Sequence, residues 1–309
     1  MIWGIDIGGT NIKVGLFQEA NLIYHDSFTT NTKDNGAFIL KEVRDFIFNY
    51  HYFKDYPLTN IKGFGFGVPG PVKNNYIIRC PNIGWESKDL IKEFKELTNL
   101  EVPIIVANDA NAAALGEYHK SNLKEDILFI TLGTGVGGGI IIDGEILEGV
   151  HGSAAELGHL KVEYDEPLLC SCGLRGCLET IGGIKGLTLL ARKLYSIRTL
   201  PTKLKEDDLW PVEVFNYAKK GDQLALAIIR KYADYLARGI ASFTVAIDPE
   251  VIIVGGGISN AGEILIKKLK EAYLDYAYYA VKDVRFQLAE LGNRAGIYGC
   301  YYLVKKHVG

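Results

Sequence analysis

A strand, a glycine-rich turn and a second strand follow one another twice along this chain, and this duplication constrains the fold more than any other feature. The first copy covers residues 2–17 and the second covers residues 127–142. In both copies a short apolar run ends near glycines and another apolar run follows. A third short strand comes next in each case, at residues 22–28 and 145–147. The sequence therefore predicts two antiparallel meanders built on one plan.

Helices and further strands alternate behind each meander, as in α/β proteins. We expect strands at residues 61–68, 102–107, 251–254 and 284–288, and helices at residues 37–48, 88–97, 110–119, 184–194, 212–219, 223–247, 261–273 and 295–305. The predicted fold class is α/β, with two similar lobes and a ligand cleft between them. A boundary near Tyr118 gives lobes of residues 1–118 and 119–309, and the last helix, about 295–309, is a candidate to pack back on the first lobe.

The composition describes a packed protein without a dominant charge. The chain has 309 residues and 48% of them are hydrophobic, which is enough for two domain cores. Its 34 Lys and Arg residues nearly balance 37 Asp and Glu residues, so we expect no nucleic-acid partner. The longest uncharged apolar stretch, residues 127–142, contains five glycines and is shorter than the roughly 18 residues of a membrane helix. We therefore expect a cytoplasmic protein with no membrane partner and no targeting segment.

The glycine turns have the composition of phosphate-binding loops, because backbone amides of consecutive small residues can hold an anion. Two such turns facing each other could hold the β- and γ-phosphates of a nucleotide, and a third glycine run could lie under an adenosine moiety. Each turn taken singly could instead be only a tight hairpin, and neither of the first two supplies the Gly-Lys-Ser/Thr of a Walker A loop. The candidate nucleotide contacts are Asp6, Gly8, Gly9, Thr10, Asn11, Lys13, Thr134, Gly135, Gly137, Gly256 and Gly257.

Asn108 and Asp109 stand between a buried strand and an alanine-rich helix. Both residue types are preferred helix caps, so capping is one interpretation. The other is catalytic, because ligands of open α/β sheets bind beyond the carboxyl ends of the strands. Asp109 could there accept a hydroxyl proton as the hydroxyl oxygen attacks phosphorus. An ordinary carboxylate pKa would suffice, since positioning and charge stabilisation dominate phosphoryl transfer.

Three cysteines crowd together in an insertion at about residues 150–180. Cys170, Cys172 and Cys177, with His159 ahead of them, match a closed tetrahedral structural zinc site. His151 is the rival fourth ligand, and a disulfide with one spare thiol is the alternative. Zinc held by four protein ligands has no open position, so we expect it to order the insertion and to take no part in chemistry.

Two glutamates flank this cluster. Glu156 lies three residues before His159, and Glu179 lies two residues after Cys177. Carboxylates held by a metal-tied loop could accept hydrogen bonds from neighbouring hydroxyls of a sugar. The alternative for any single glutamate is a solvated surface position.

Seven strings carry a family resemblance. They are DIGGTNIKVG (residues 6–15), GFGVPGPV (65–72), NIGW (82–85), NDANAAALGE (108–117), LGTGVGGGI (132–140), ELGH (156–159) and CSCGLRGCLE (170–179). In order and spacing they resemble the ROK family of bacterial sugar kinases and repressors, within the actin, hexokinase and Hsp70 superfamily. The strings extend over nearly the whole chain, and the cysteine motif is the most specific of them.

The resemblance implies a ribonuclease H-like, actin-like ATPase fold and ATP-dependent phosphorylation of a hexose at its 6-hydroxyl, with Mg²⁺. It implies that Asp109 is the base, that His159 also binds zinc, and that the glycine turns hold the phosphates and metal. Family members are commonly dimers or tetramers, so we expect a homodimer or homotetramer. The implied sugar contacts are Gly70, Asn82, Asn108, Asp109, Glu156, His159 and Glu179.

Two departures from the family pattern concern the sugar pocket. Ala155 stands where the family often has glycine, so the loop backbone could differ, and residues 180–183 after Glu179 are less typical. Glucose is the predicted substrate, with N-acetylmannosamine and fructose as alternatives. A repressor would carry a helix-turn-helix domain ahead of the phosphate motif, and we expect no room for one before Asp6. A sugar sensor without catalysis is the remaining alternative.

Overall fold

Two mixed five-stranded sheets organise the chain. The structure, a computed structural model, describes residues 1–165, 167–197 and 200–308. Glu166 of the predicted insertion and Gly309 at the predicted end of the second lobe lie outside the described residues. The strands are β1 (Ile2–Ile7), β2 (Asn11–Gln18), β3 (Asn21–Thr29), β4 (Gly63–Val68), β5 (Val72–Lys73), β6 (Tyr76–Ile77), β7 (Ile104–Asn108), β8 (Ile127–Leu132), β9 (Val136–Ile142), β10 (Glu145–Ile146), β11 (Val251–Gly255) and β12 (Arg285–Leu288).

The two sheets repeat one topology, which confirms the predicted α/β fold of two similar lobes. The first has the order β3-β2-β1-β4-β7 and the second has the order β10-β9-β8-β11-β12. In each, three antiparallel strands are followed by two parallel ones. The helices are α1 (Lys33–Gly36), α2 (Ile39–Phe53), α3 (Leu90–Thr98), α4 (Asp109–Lys120), α5 (Glu179–Gly182), α6 (Ile184–Ile197), α7 (Pro211–Lys219), α8 (Gln223–Ile247), α9 (Glu263–Tyr276) and α10 (Ala295–Val308).

Strand β4 shows how the sequence pattern builds the first lobe. Its residues alternate glycine and phenylalanine, and side chains alternate between the two faces of a strand. Phe64 and Phe66 both pack edge-on against Phe94 of α3, with ring centroids 5.1 and 4.9 Å away. On the other face, a side chain at Gly65 would collide with the carbonyl of Cys300 in α10. The glycines therefore let α10 lie directly on the sheet.

Helices α4 and α10 lie against each other between the two sheets. Helix α10 packs on β1 and β4, and α4 packs on β4 and β9. The two helices approach so closely that a side chain at Gly299 would collide with the Ala112 carbonyl. The buried carboxylate of Glu117 in α4 accepts hydrogen bonds from the backbone amides of Glu290 and Leu291, both at 2.8 Å. Because Tyr118 lies in this shared helix, the lobe boundary near it stays a prediction.

Several predicted bounds need correction. Strand β9 begins at Val136, although the glycines before residue 139 were predicted as a turn. The glycine run is a strand because α4 and the loop around Leu157 pack directly on it, leaving no room for side chains at Gly138 and Gly139. The β5–β6 hairpin and the short helix α5 were not predicted, since elements of two to four residues carry too little periodicity.

In the part of the chain that the structure describes, no helix combines the length and the apolar character needed to cross a bilayer.

Candidate active site

Asp6 and Asp109 come together at one edge of the first sheet. Strands β1, β4 and β7 run parallel, so their carboxyl ends meet at this edge. Asp6 is near the end of β1, and Asp109 directly follows β7. Gly67 of β4 lies between them: a Cβ atom there would be 3.4 Å from the Asp109 Cα and 3.6 Å from Asp6 Oδ1. The glycine thus allows two carboxylates from distant parts of the chain to share one site.

Asn108 is the cap of α4, which leaves the carboxylate of Asp109 available for another role. The side-chain oxygen of Asn108 accepts hydrogen bonds from the amides of Ala110 and Asn111, at 2.9 and 3.1 Å. Its Nδ2 donates to the carbonyl of Gly70 at 3.2 Å, which connects the helix start to the predicted sugar loop. Asp109 Oδ1 accepts from the Ala110 amide at 2.8 Å.

The electrostatics of this edge depend on burial. Burial, together with the charges of Asp6 and Glu156, raises the pKa of Asp109 to about 7 against the opposing effects of the Ala110 amide and Lys13. Burial also raises the pKa of Asp6, whose Oδ2 lies 3.4 Å from Lys13 Nζ. We considered an ordinary carboxylate pKa sufficient for Asp109. The pKa of Asp109 in the structure is raised instead. Because Glu156 belongs to the second half of the chain, the Asp109 site draws on both lobes.

The turn between β1 and β2 has the predicted glycines. The amide of Gly8 donates to the carbonyl of Asn11 at 3.0 Å, and the carbonyl of Thr10 accepts from Thr30 N at 2.9 Å. Asn82 belongs to a 3₁₀ turn (Pro81–Ile83) beside it, where a Cβ at Gly9 would be 3.6 Å from the Asn82 Cβ. The structure thus brings Asn82, predicted as a sugar contact, next to the first phosphate turn.

The second sheet presents two glycine turns at one edge, because β8 and β11 are parallel neighbours. Between β8 and β9, Gly133 N donates to the Gly135 carbonyl at 3.0 Å, and Thr134 lies between these residues. After β11, Gly256 has φ 83° and packs on Leu132 so closely that no side chain would fit. A side chain at Gly257 would meet nothing within 4 Å. Gly137, by contrast, lies within β9, where a Cβ would be 3.3 Å from the Ala110 Cβ.

The four predicted zinc ligands form one cluster, with all ligand atoms within 4.8 Å of one another. His159 Nδ1 lies 3.6 Å from Cys170 Sγ, and the sulfurs of Cys172 and Cys177 are 3.7 Å apart. Tetrahedral coordination with the usual Zn–S and Zn–N lengths requires S···S and S···N separations of about 3.8 and about 3.6 Å. The cluster therefore fits zinc, and His159 rather than His151 is its imidazole.

The flanking glutamates are joined to this cluster. Glu156 Oε2 lies 3.9 Å from His159 Nε2, so one ring faces both the sulfurs and this carboxylate. Glu179 Oε1 accepts a hydrogen bond from the hydroxyl of Ser171 at 2.8 Å. Lys161 Nζ donates to Cys177 Sγ at 3.0 Å. Sequence reasoning missed Ser171 and Lys161, although the position of Ser171 between two predicted ligands was a usable signal.

Ala155 forms a buried bend before Glu156. Its φ is 65°, in the left-handed region that favours glycine, and its side chain is 3% exposed. Among the described non-glycine residues with positive φ, it alone is buried. Its carbonyl accepts from the amide of Leu157 at 2.7 Å. The alanine thus takes a glycine-like conformation. We expected that alanine in place of glycine could change the loop backbone, and the φ of Ala155 gives no support to that expectation.

Comparisons with known proteins find relatives over nearly the whole chain. The chain is 38% identical to a glucokinase of Halalkalibacterium halodurans, over 98% of this chain and 94% of that protein. It is 28% identical to a xylose repressor of Caldicellulosiruptor bescii, over 98% of this chain but 77% of the repressor. Among solved structures, a ROK family glucokinase from Streptomyces griseus in complex with glucose and AMPPNP superposes with a TM-score of 0.80, at 28% identity and 99% coverage of both chains. A model of the ROK family matches residues 2–307, and the chain therefore belongs to that family.

Proposed function

We propose that this protein is an ATP-dependent hexose kinase that phosphorylates the 6-hydroxyl of glucose. The observation that carries the proposal is the half-buried carboxylate of Asp109, which lies beside Asp6 at the edge of the first sheet. Burial and the charges of Asp6 and Glu156 raise its pKa to about 7. Such a carboxylate can accept a proton near neutral pH. The glucokinase relatives support this assignment to sugar phosphorylation.

In the proposed reaction, Asp109 takes the proton of the sugar 6-hydroxyl as its oxygen bonds to the γ-phosphorus. The bond from the γ-phosphorus to the β–γ bridging oxygen breaks, and the products are ADP and the hexose 6-phosphate. The amides of Gly9, Thr134 and Gly135 would hold the phosphates, because the Gly8 amide already donates to the Asn11 carbonyl. Asn108 positions Asp109 and the Gly70 backbone. Asn82, Glu156, His159 and Glu179 would hold the other sugar hydroxyls.

The metal ions have separate roles in this proposal. Mg²⁺ bound with ATP supplies charge neutralisation at the phosphates, and Asp6 offers the carboxylate oxygens that this hard cation prefers. The zinc cluster would order the residues that carry Glu156, His159 and Glu179. All four of its ligands come from the protein, so no position is left for chemistry.

A coupled assay with Mg-ATP and a panel of hexoses tests the proposal. Glucose should give the highest kcat/KM, ahead of N-acetylmannosamine and fructose. Asp109→Asn should lower kcat by roughly 10²- to 10⁴-fold while equilibrium glucose binding persists. Asp126→Asn, at a half-buried carboxylate beside β8 that accepts a hydrogen bond from the Asp143 amide, is the matched control and should retain full activity. Tight hexose binding without turnover in the wild type would instead identify a sugar sensor.

A further inference from the structure

We propose that Ser171 is a positioning residue that connects the zinc-binding loop to a sugar-binding carboxylate. The inference rests on the proposed function, because it takes Glu179 as a contact of the hexose. Ser171 lies between Cys170 and Cys172, two of the zinc ligands. Its hydroxyl donates to Glu179 Oε1 at 2.8 Å, an ordinary length for an O–H···O hydrogen bond.

Glu179 is held between two parts of the second lobe. On one side is the zinc loop, where Ser171 contacts its Oε1. On the other side is the glycine turn of the second sheet, where a Cβ at Gly135 would be only 2.6 Å from its Oε2. The Ser171 hydrogen bond therefore engages one carboxylate oxygen and leaves the other on the side of the glycine turn. That second oxygen is the one we assign to the sugar.

Zinc binding would remove the other donor to Glu179 Oε1. The thiol of Cys170 also donates to Glu179 Oε1, at 3.6 Å. A sulfur that binds zinc is a thiolate and has no proton to donate. Among the hydrogen-bond donors found for Glu179 in the described part of the chain, the Ser171 hydroxyl is then the one that remains.

The expected effect is on affinity rather than on the chemical step. A carboxylate that is already oriented binds a hydroxyl without first losing side-chain freedom. Ser171 is exposed, and its hydroxyl lies 2.8 Å from Glu179 Oε1 and 3.8 Å from Cys170 Sγ, so we assign its effect to Glu179 and use zinc content to detect any effect on the metal ligand. Loss of its hydroxyl should weaken sugar binding and leave proton transfer unchanged.

The experiment compares Ser171→Ala, Ser171→Thr and wild-type protein, all loaded with zinc. Calorimetric titration with glucose should give a Kd roughly three- to tenfold higher for Ser171→Ala, with KM raised equally and kcat within about twofold. Ser171→Thr retains a hydroxyl and should restore wild-type affinity. Zinc content should remain one ion per chain in all three. Ser196→Ala removes another exposed hydroxyl, bonded within α6, and should change nothing.

A second arm uses metal-free protein. Because the loop that carries Ser171 loses its anchor without zinc, wild type and Ser171→Ala should then bind glucose equally. Wild-type affinity in zinc-loaded Ser171→Ala, failure of threonine to rescue, or loss of zinc from Ser171→Ala would each overturn the positioning role alone. A wild-type protein that neither binds nor phosphorylates any hexose would overturn the proposed function as well, which separates the two failures.

Discussion

Asp6 and Asp109 lie on either side of Gly67, at the edge of the first sheet where three parallel strands end. The negative charge of Asp6 adds to the effect of burial in raising the pKa of Asp109. An aspartate acting as a base near neutral pH must hold its proton weakly enough to be ionised and strongly enough to accept one. The close approach of the Asp6 carboxylate moves the pKa of Asp109 up toward this range.

The pH dependence of kcat/KM for glucose should report this interaction. Asp109 acts as a base only when ionised, so kcat/KM should fall about tenfold per pH unit below pH 7 and level off above it. Asp6→Asn removes the neighbouring charge, so the acid limb should move to lower pH, whatever the change in maximal rate. A profile that is flat from about pH 5.5 to about pH 8 would contradict the assigned base. Circular dichroism over the same range controls for unfolding.

Lys161 should strengthen zinc binding. Three thiolates and a neutral imidazole around Zn²⁺ leave one net negative charge, and Lys161 Nζ lies 3.0 Å from Cys177 Sγ. Lys161→Met removes the compensating charge, so transfer of zinc to a chelator should become roughly 10- to 100-fold more favourable. The exposed Lys124→Met is the control. Equal zinc affinity in all three proteins would show that Lys161 has no influence on the metal.

His51 should make folding stability depend on pH. It is 1% exposed, its Nε2 accepts from Trp3 Nε1 at 3.2 Å, and its Nδ1 lies 3.1 Å from the Tyr56 carbonyl. Burial lowers the pKa of His51, with a smaller contribution from the charged N-terminus. Since the unfolded chain binds this proton at higher pH, stability should be lost as the pH falls through the unfolded value of about 6.5, by at most about 1.4 kcal/mol per pH unit.

Urea unfolding at several pH values measures this contribution. His51→Gln should remove the part of the pH dependence that belongs to His51. His25→Gln, on the exposed strand β3, should retain it. The same slope in His51→Gln and wild type would rule out His51 as the titrating group.

Ala155→Gly should weaken sugar binding with little change in stability. Relief of the left-handed conformation is worth roughly 1–2 kcal/mol, and loss of the buried methyl group and the flexibility of glycine oppose it. The free energy of unfolding should therefore change by less than about 1 kcal/mol. Glucose affinity should fall because the bend before Glu156 can then move.

Ala20→Gly is a matched control for this change. Ala20 also has a positive φ, of 69°, but it is exposed in the β2–β3 turn. Its replacement relieves the same strain without freeing a site residue, so glucose affinity should stay unchanged. Equal affinities in Ala155→Gly and Ala20→Gly would show that the buried bend does not position Glu156.

Sequence reasoning was most successful where the signal is local. The strand Ile2–Ile7 was predicted with its observed bounds, and the cysteine spacing predicted a cluster that the structure assembles. It failed at β9, where a glycine run indicates a turn unless the packing partners are known. It also left His151 and His159 as alternatives, since spacing along the chain does not tell which ring meets the sulfurs.

The amino-acid sequence by itself determined the duplicated strand–turn–strand plan, the helix start at Asn108 and Asp109, and the residue types available for phosphate, sugar and zinc. These depend on neighbours within a few positions, where periodicity and capping act. Only the tertiary structure decided the raised pKa of Asp109, the hydrogen bond from Ser171 to Glu179 and the glycine-like bend at Ala155. Desolvation, charge–charge interaction and close packing depend on which segments the fold brings together.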